Sequence, residues 1–140
     1  MIDKAIIDEV LKQSRIAFNN NEIPVGAVIF KNNKIIAVGS NNRQNNHNIL
    51  GHAEINAIIS AENEIKDWRL DGYSMIVSLE PCEMCSIIIK ECRLDKIYYF
   101  LDSNKQVITS INKVKIEENQ YSKEYTELST IINQFFSSKR

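Results

Sequence analysis

Apolar positions along the chain follow two spacings, which predict a succession of helices and strands. Apolar side chains that recur at steps of three and four residues are typical of amphipathic helices. This spacing predicts helices over residues 3–18, 52–62, from about 81 onward, and 125–136. Short runs rich in β-branched and apolar residues predict strands over residues 25–30, 34–38, 75–79 and 97–101.

The connections between these elements indicate the fold class. An Asn-Asn pair at residues 32–33 suits the positive φ of a tight hairpin between the first two strands. The order strand, helix, strand over residues 75–101 favours a parallel crossover. Residues 102–120 are ambiguous, with one candidate edge strand at 114–116. We predict a single α/β domain over residues 1–140, with three α/β/α layers and a mixed sheet.

Composition places the chain among ordinary globular proteins. It has 140 residues, of which 44% are hydrophobic and 25% charged, and this excludes an intrinsically disordered chain. The apolar stretch at residues 25–30 is far shorter than the ~20 residues that span a bilayer, so we expect no membrane segment. The first residues show no secretory leader, and we expect a cytoplasmic protein. The net charge of −1 means that any contact with nucleic acid must be local.

Four residues carry the candidate chemistry: His52, Glu54, Cys82 and Cys85. An odd number of cysteines with one Cys-x-x-Cys pair indicates metal or redox chemistry more than a disulfide framework. Zinc binds imidazole and thiolate in a tetrahedron, and three protein ligands leave the fourth position for water. His52, Cys82 and Cys85 would supply those ligands, and Glu54 beside the water could transfer protons. This arrangement predicts hydrolytic loss of ammonia from an amidine-like carbon.

Neighbouring residues help to decide between a catalytic and a structural metal site. Pro81 suits the first position of the third helix, and Gly51 would permit His52 and Glu54 to enter the second helix facing one site. A structural zinc clip or a redox pair is the alternative for these cysteines. A structural site uses a fourth protein ligand, but Cys92 lies ~10 Å further along its helix and is expected to be a small buried apolar side chain.

The motifs His-x-Glu at residues 52–54 and Pro-Cys-x-x-Cys at residues 81–85 together form the signature of zinc-dependent nucleobase deaminases. The chain resembles the cytidine and deoxycytidylate deaminase superfamily, and it is most similar to the bacterial tRNA-specific adenosine deaminases. Further matching segments are E-x-P-V-G-A-V at 22–28, G-x-N at 39–41, an aromatic-R-L turn at 68–70, and Phe-Phe at 135–136, which we expect in the core. The resemblance covers about residues 3–101 and 122–140.

The resemblance implies a cytidine-deaminase-like fold with about five strands and one Zn²⁺ per chain. The implied metal ligands are His52, Cys82 and Cys85. Glu54 would shuttle protons, Asn41 would hold the substrate, and Val25 and Gly26 would present backbone at the floor of the base pocket. A homodimer is also implied, with part of the RNA surface formed across it.

The implied reaction converts adenosine to inosine at the wobble position of a tRNA anticodon loop, with zinc-bound hydroxide attacking C6. Residues 102–108 contain no glycine where the family has a glycine-containing, charged loop, and residues 48–51 lack its usual D-P-T-A. A deaminase of a free base or nucleoside, such as guanine or cytosine, is therefore one alternative, and a catalytically silent RNA-binding module is another. The candidate phosphate contacts are Arg43, Lys105, Lys139 and Arg140.

Overall fold

A computed structural model describes residues 2–138 and contains a mixed sheet with helices on both faces. The helices are α1 (Lys4–Asn19), α2 (Ala53–Ile65), α3 (Glu83–Glu91) and α4 (Ser122–Ser138), with a 3-10 turn at Glu118–Gln120. The strands are β1 (Gly26–Lys31), β2 (Lys34–Ser40), β3 (Ser74–Leu79), β4 (Lys96–Leu101) and β5 (Lys113–Lys115). Their order in the sheet is β2-β1-β3-β4-β5.

The sheet is antiparallel on one side and parallel on the other. β1 pairs antiparallel with β2 and with β3, whereas β3 with β4 and β4 with β5 are parallel pairs. The β1–β2 hairpin turns at Asn32 and Asn33, whose φ angles of 52° and 59° are left-handed, as the Asn-Asn pair predicted. The hairpin, the crossover through α3 and the five-stranded mixed sheet confirm the predicted α/β fold.

Two apolar cores separate three layers. On one face of the sheet, α1 and α4 pack against the strands, and the core there includes Ile6, Val10, Phe100 and Leu128. On the other face, α2 and α3 pack against the same strands around Ala57, Ile58, Met75, Val77 and Ile89. The central strands β1 and β3 are buried along most of their length, as expected for strands that helices cover on both faces. The predicted α/β/α layering is confirmed.

The start of α3 differs from its prediction. The helix begins at Glu83 and has Cys82 as its N-cap, so Pro81 precedes the cap and does not occupy the first helical position. Pro81 still ends the extended segment after β3, because it has no N–H to donate to a strand ladder.

The apolar spacing of Met84, Ile87 and Ile88 predicts the buried face of α3, but of these three only Ile88 packs against the core, and Met84 is half-buried. The buried side chains are Cys85, Ser86 and Ile89, and Ile87 is 46% exposed. The helix is rotated so that the Cys85 sulfur approaches His52 on α2. Cys92, at the end of the helix, is buried as predicted.

The remaining bounds differ by a few residues. α2 continues to Ile65 and ends at Lys66, which adopts a left-handed φ of 57°. The edge strand β5 covers Lys113–Lys115 within the ambiguous region, and α4 begins earlier than predicted, at Ser122. Within residues 2–138, every helix is too short or too polar to cross a bilayer.

Candidate active site

His52 and Glu54 lie at the beginning of α2. His52 is the N-cap, with an extended backbone (φ −89°, ψ 147°), and its carbonyl accepts the first helical hydrogen bond from the Asn56 N–H at 3.0 Å. Because His52 is outside the helical repeat, its side chain is not rotated away from that of Glu54 as it would be two residues apart within a helix. Glu54 is buried, with 4% of its surface exposed.

Close packing, and not glycine torsional freedom, directs the chain into α2. A Cβ at Gly51 would lie 2.7 Å from Arg43 Cα, and Gly51 is not among the residues with positive φ, so the predicted reason for this glycine is wrong. A Cβ at Gly39 of β2 would lie 2.3 Å from Ala53 O and 2.6 Å from Ala57 N. The first turn of α2 therefore rests directly on the backbone of β2.

Cys82 and Cys85 lie at the beginning of α3, facing His52. The Nδ1 atom of His52 is 3.8 Å from Cys82 Sγ and 3.4 Å from Cys85 Sγ. The three side chains form a group whose ligand atoms all lie within 4.8 Å of one another, and this group can hold a metal ion. Within residues 2–138, no fourth His, Cys, Asp or Glu belongs to the group.

The side chains of this group shift one another's pKa values in opposite directions. Hydrogen bonds with Cys85 and His52 lower the pKa of the Cys82 thiol to about 3. The neighbouring Cys82 sulfur and burial raise the pKa of Cys85, and the hydrogen bond with Cys82 raises the pKa of His52. Burial raises the pKa of Glu54 to about 7. The low pKa of Cys82 favours its thiolate, which is the form that binds a metal ion, and metal binding releases the protons of the other ligands.

A cavity opens beside this group. Its lining includes four of the predicted site residues that carry reactive or polar side chains, together with the predicted floor residue Val25. The lining residues are Ile23, Val25, Asn41, Arg43, His52, Ala53, Glu54, Leu79, Glu80, Cys82, Ser103 and Lys105. Among the described residues, Cys85 is fully buried and is not one of those that line the cavity. Glu54 thus faces the same space as the metal-binding group.

Among the described residues 2–138, Gly26 is not one of those that line the cavity. A Cβ at Gly26 would lie 2.6 Å from Ser14 N and 2.7 Å from Val10 O. Its missing side chain allows α1 to pack against β1, and its N–H donates to Ser78 Oγ at 3.1 Å. The structure thus gives Gly26 a packing role and brings Val25, but not Gly26, to the cavity wall.

Asn41 is held in place by backbone groups at the cavity wall. Its Nδ2 donates to Ile23 O at 3.3 Å, and its Oδ1 accepts from the Arg43 N–H at 3.4 Å. Its own N–H donates to Val25 O at 3.1 Å. The side chain is 8% exposed, so any polar group it offers to a ligand has a defined position.

Two glutamates near the cavity were missed by the sequence analysis as functional residues. Glu22 accepts hydrogen bonds from the backbone N–H groups of Gln44 and Asn45, at 3.1 Å and 2.8 Å. Glu80 accepts from the Ser103 N–H at 3.3 Å and pairs with Lys113 Nζ at 2.7 Å. Glu22 begins the matched segment at 22–28 and Glu80 directly precedes the Pro-Cys-x-x-Cys motif, but their partners are distant in sequence, and no local pattern identifies them.

The remaining candidates are the predicted phosphate contacts and the Phe-Phe pair at 135–136. Arg43 and Lys105 line the cavity, whereas Lys139 and Arg140 lie outside the described residues. Phe135 is buried as expected, but Phe136 is 50% exposed, so only half of the aromatic pair belongs to the core. The two rings meet edge to face, 5.4 Å between centroids.

Comparison with known sequences places the chain among deaminases. A family model described as MafB19-like deaminase matches residues 1–140. A relative from Rickettsia typhi, named tRNA-specific adenosine deaminase, is 44% identical over 102 residues, which cover 71% of this chain and 69% of the relative.

Comparison with solved structures agrees. A tRNA:A34 deaminase studied for A-to-I editing at the wobble position of transfer RNA has a TM-score of 0.73 and 26% identity, covering 81% of this chain and 98% of that one. A guanine deaminase from Bacillus subtilis shares the fold with a TM-score of 0.67 and 24% identity, covering 89% and 92%. The matches confirm the resemblance found in the sequence. This chain belongs to the MafB19-like deaminase family.

Proposed function

We propose that this protein hydrolytically deaminates adenosine to inosine at the wobble position of a tRNA anticodon. One observation carries the proposal: the His52, Cys82 and Cys85 group and the buried Glu54 meet at one cavity that Asn41 also lines. The Rickettsia typhi relative is named for this activity, and the structural match to a tRNA:A34 deaminase supports the same substrate. Cytoplasmic tRNA would supply it.

We propose that one zinc ion per chain binds to His52, Cys82 and Cys85. One nitrogen and two sulfur donors within 4.8 Å form a donor set that zinc prefers, and three protein ligands are typical of catalytic zinc. In such a site zinc supplies Lewis acidity, which makes water a competent nucleophile near neutral pH. The three side chains would hold the ion at the inner end of the cavity.

Glu54 is proposed as the proton carrier. The reaction exchanges the amino group at C6 of adenine for oxygen, consuming one water and releasing one ammonia. Glu54 would accept a proton from the attacking water and donate a proton to the departing amino nitrogen. Its burial at the cavity wall supports this assignment, because a shielded carboxyl group exchanges protons with the substrate in preference to bulk water.

Asn41 and Val25 are proposed to position the nucleoside. Both line the cavity, and the Asn41 side chain is oriented by two backbone contacts. A polar group fixed in this way selects one orientation of a ligand at low entropic cost. Gly26, which follows Val25 in the chain, is proposed to contribute only through its close packing against α1.

The active form is proposed to be a homodimer. The outer faces of α2 and α3 expose the apolar side chains of Ile59 (50%) and Ile87 (46%), and Trp68 nearby is 55% exposed. Exposed apolar side chains on neighbouring helices are typical of an interface. Light scattering of the purified chain tests this directly, and Ile59→Lys with Ile87→Lys is expected to yield monomers.

The decisive experiment uses zinc-loaded protein and a tRNA with adenosine at the wobble position. We expect inosine at that position by sequencing, and none in a matched tRNA carrying guanosine there. Ammonia release from adenine, guanine, cytosine and their nucleosides is measured in parallel. Activity on a free base with none on tRNA would overturn the proposed substrate and establish the small-molecule alternative.

A further inference from the structure

Residues 103–109 form an irregular segment. Two glutamates, one on each side of Cys82 in the chain, hold it in place by hydrogen bonds. The segment contains no helix or strand. At its beginning, the Ser103 N–H donates to Glu80 at 3.3 Å. At its end, the N–H groups of Ile108 and Thr109 donate to Glu83, at 2.5 Å and 3.0 Å. Both glutamates flank Cys82 in the chain.

Glu83 provides the attachment at the far end of the segment. Its two carboxylate oxygens accept from two successive backbone N–H groups, and hydrogen bonds to an ionised acceptor are stronger than neutral ones. The side chain of Ile108 is 85% exposed and contributes little packing there. Since Glu83 is the first residue of α3, this contact fixes the segment relative to Cys82 and Cys85.

The attached segment forms part of the cavity wall. Ser103 and Lys105 line the cavity that His52 and Glu54 also line. Apart from the histidine, the basic side chains of this lining are Lys105 and Arg43. A nucleotide within RNA carries phosphates on both sides of the reacting base, so a lysine at the cavity wall can meet one of them.

Two other lysines near the segment are engaged with acids. Lys113 pairs with Glu80 at 2.7 Å, and Lys115 pairs with Asp102 at 2.5 Å. Both pairs connect β5 to the ends of β3 and β4. Lys105 is exposed, and its backbone N–H, at 3.4 Å from Ser103 Oγ, holds it in the local turn.

We propose that Glu83 is a positioning residue for RNA, which holds residues 103–109 so that the Lys105 ammonium contacts a phosphate beside the reacting nucleotide. This inference rests on the proposed function, since it requires an RNA substrate. It assigns a role to a side chain within the Cys-x-x-Cys motif that neither binds the metal nor transfers protons.

Electrostatics and positioning predict opposite results when the charge of Glu83 is removed. A carboxylate near a polyanion repels it, so removing the charge alone would strengthen RNA binding. If Glu83 acts by holding the segment, its removal releases Lys105 and weakens binding. The sign of the change in KM therefore distinguishes the two explanations.

The experiment compares Glu83→Ala, Glu83→Gln, Lys105→Ala and the double variant Glu83→Ala with Lys105→Ala. For the wobble-adenosine tRNA, we expect Glu83→Ala to raise KM roughly tenfold, as for loss of a charged hydrogen bond, with kcat and zinc content unchanged. Glu83→Gln keeps one acceptor oxygen and should raise KM less. Glu64→Ala, which removes an exposed carboxylate from α2, is the matched control and should not raise KM.

Non-additivity is the specific signature of positioning. Because Glu83 acts through Lys105, we expect Glu83→Ala to have little further effect on KM once Lys105→Ala is present. Hydrogen exchange of the Ile108 and Thr109 amides should accelerate in Glu83→Ala, while the amides of α3 keep their protection.

The outcomes distinguish a failure of the proposed function from a failure of the positioning role. A wild-type protein without tRNA activity would overturn the proposed function. An active wild-type protein in which Glu83→Ala lowers KM, or in which Lys105→Ala leaves KM unchanged, would overturn the positioning role alone. If Glu83→Ala loses zinc or does not fold, Glu83→Gln takes its place, alone and combined with Lys105→Ala, and additive effects on KM in that pair contradict the inference.

Discussion

The inner side of the cavity and its outer rim are held by different kinds of interaction. On the inner side, His52 and Glu54 begin a helix that lies directly on β2, and Cys85 is fully buried at the beginning of a second helix. At the rim, the irregular segments around residues 41–50 and 103–109 are held by Glu22, Glu80 and Glu83 through backbone N–H groups.

Because of this difference, we expect the inner side of the cavity to determine the reaction and the rim to determine how well a substrate binds. Close-packed helices and strands tolerate little change, because protein interiors have few voids and transmit strain. Segments held by a few side-chain hydrogen bonds can change one contact at a time. We therefore expect inner substitutions to abolish turnover or stability, and rim substitutions to change substrate affinity while the reaction survives.

Loss of a metal donor should produce the largest effect. Cys82→Ser replaces a soft sulfur donor with a hydroxyl. Substituting a hydrogen-bond partner of a metal ligand typically lowers metal affinity by roughly 10–100-fold, and replacing the ligand itself should lower it further. Activity should be lost with the metal. Zinc per chain after dialysis against a weak chelator provides the measurement, and Cys92→Ser, at the other end of α3, serves as control. Normal zinc content in Cys82→Ser would contradict the donor assignment.

The next largest effect is expected for Glu54→Gln. The amide cannot carry a proton between water and leaving nitrogen, so kcat should fall by about 10²- to 10⁴-fold. Zinc content should remain unchanged, which metal analysis of the same sample checks. Metal loss would show that Glu54 is a ligand. An unchanged kcat would show that Glu54 is not the proton carrier.

Gly39→Ala tests the packing of the inner side. The new methyl group would lie 2.3 Å from Ala53 O and 2.6 Å from Ala57 N, and both are helix backbone atoms. We expect a loss of about 1–3 kcal/mol in the free energy of unfolding, measured by urea denaturation. Lys34→Ala, at an exposed position of the same strand, should be nearly neutral. Equal effects of the two would mean that α2 does not require the close approach.

Glu22→Gln tests the rim and should have the smallest effect. Glu22 is 1% exposed and accepts from the N–H groups of Gln44 and Asn45 and from Asn45 Nδ2 at 2.6 Å. An amide in its place turns an NH2 group toward one of these donors, which should cost about 1–2 kcal/mol in unfolding free energy.

For the same Glu22 variant, KM for the tRNA should rise a few-fold while kcat stays within error, since Asn41 adjoins this loop. Glu64→Gln is the control of equal charge change. A fall in kcat with unchanged KM would indicate that the loop acts on chemistry instead of binding.

Local patterns account for the elements that form this fold. Helical and strand periodicities predicted α1, α2, α4 and all of β1 to β4 within a few residues, and the Asn-Asn pair predicted the hairpin turn. These predictions succeed because each element has a buried face that its own residues reveal. α3 is the exception, because its rotation depends on Cys85 meeting His52, more than thirty residues earlier in the chain.

The motifs alone determined which side chains could form the reactive group, and their residue types already limited the metal and the chemistry. Only the tertiary structure brought them to one cavity, assigned Gly26, Gly39 and Gly51 to close contacts between elements, and connected residues 103–109 to Glu83. Those contacts join atoms that are distant in sequence, so they depend on the path of the whole chain, about which a local pattern carries no information.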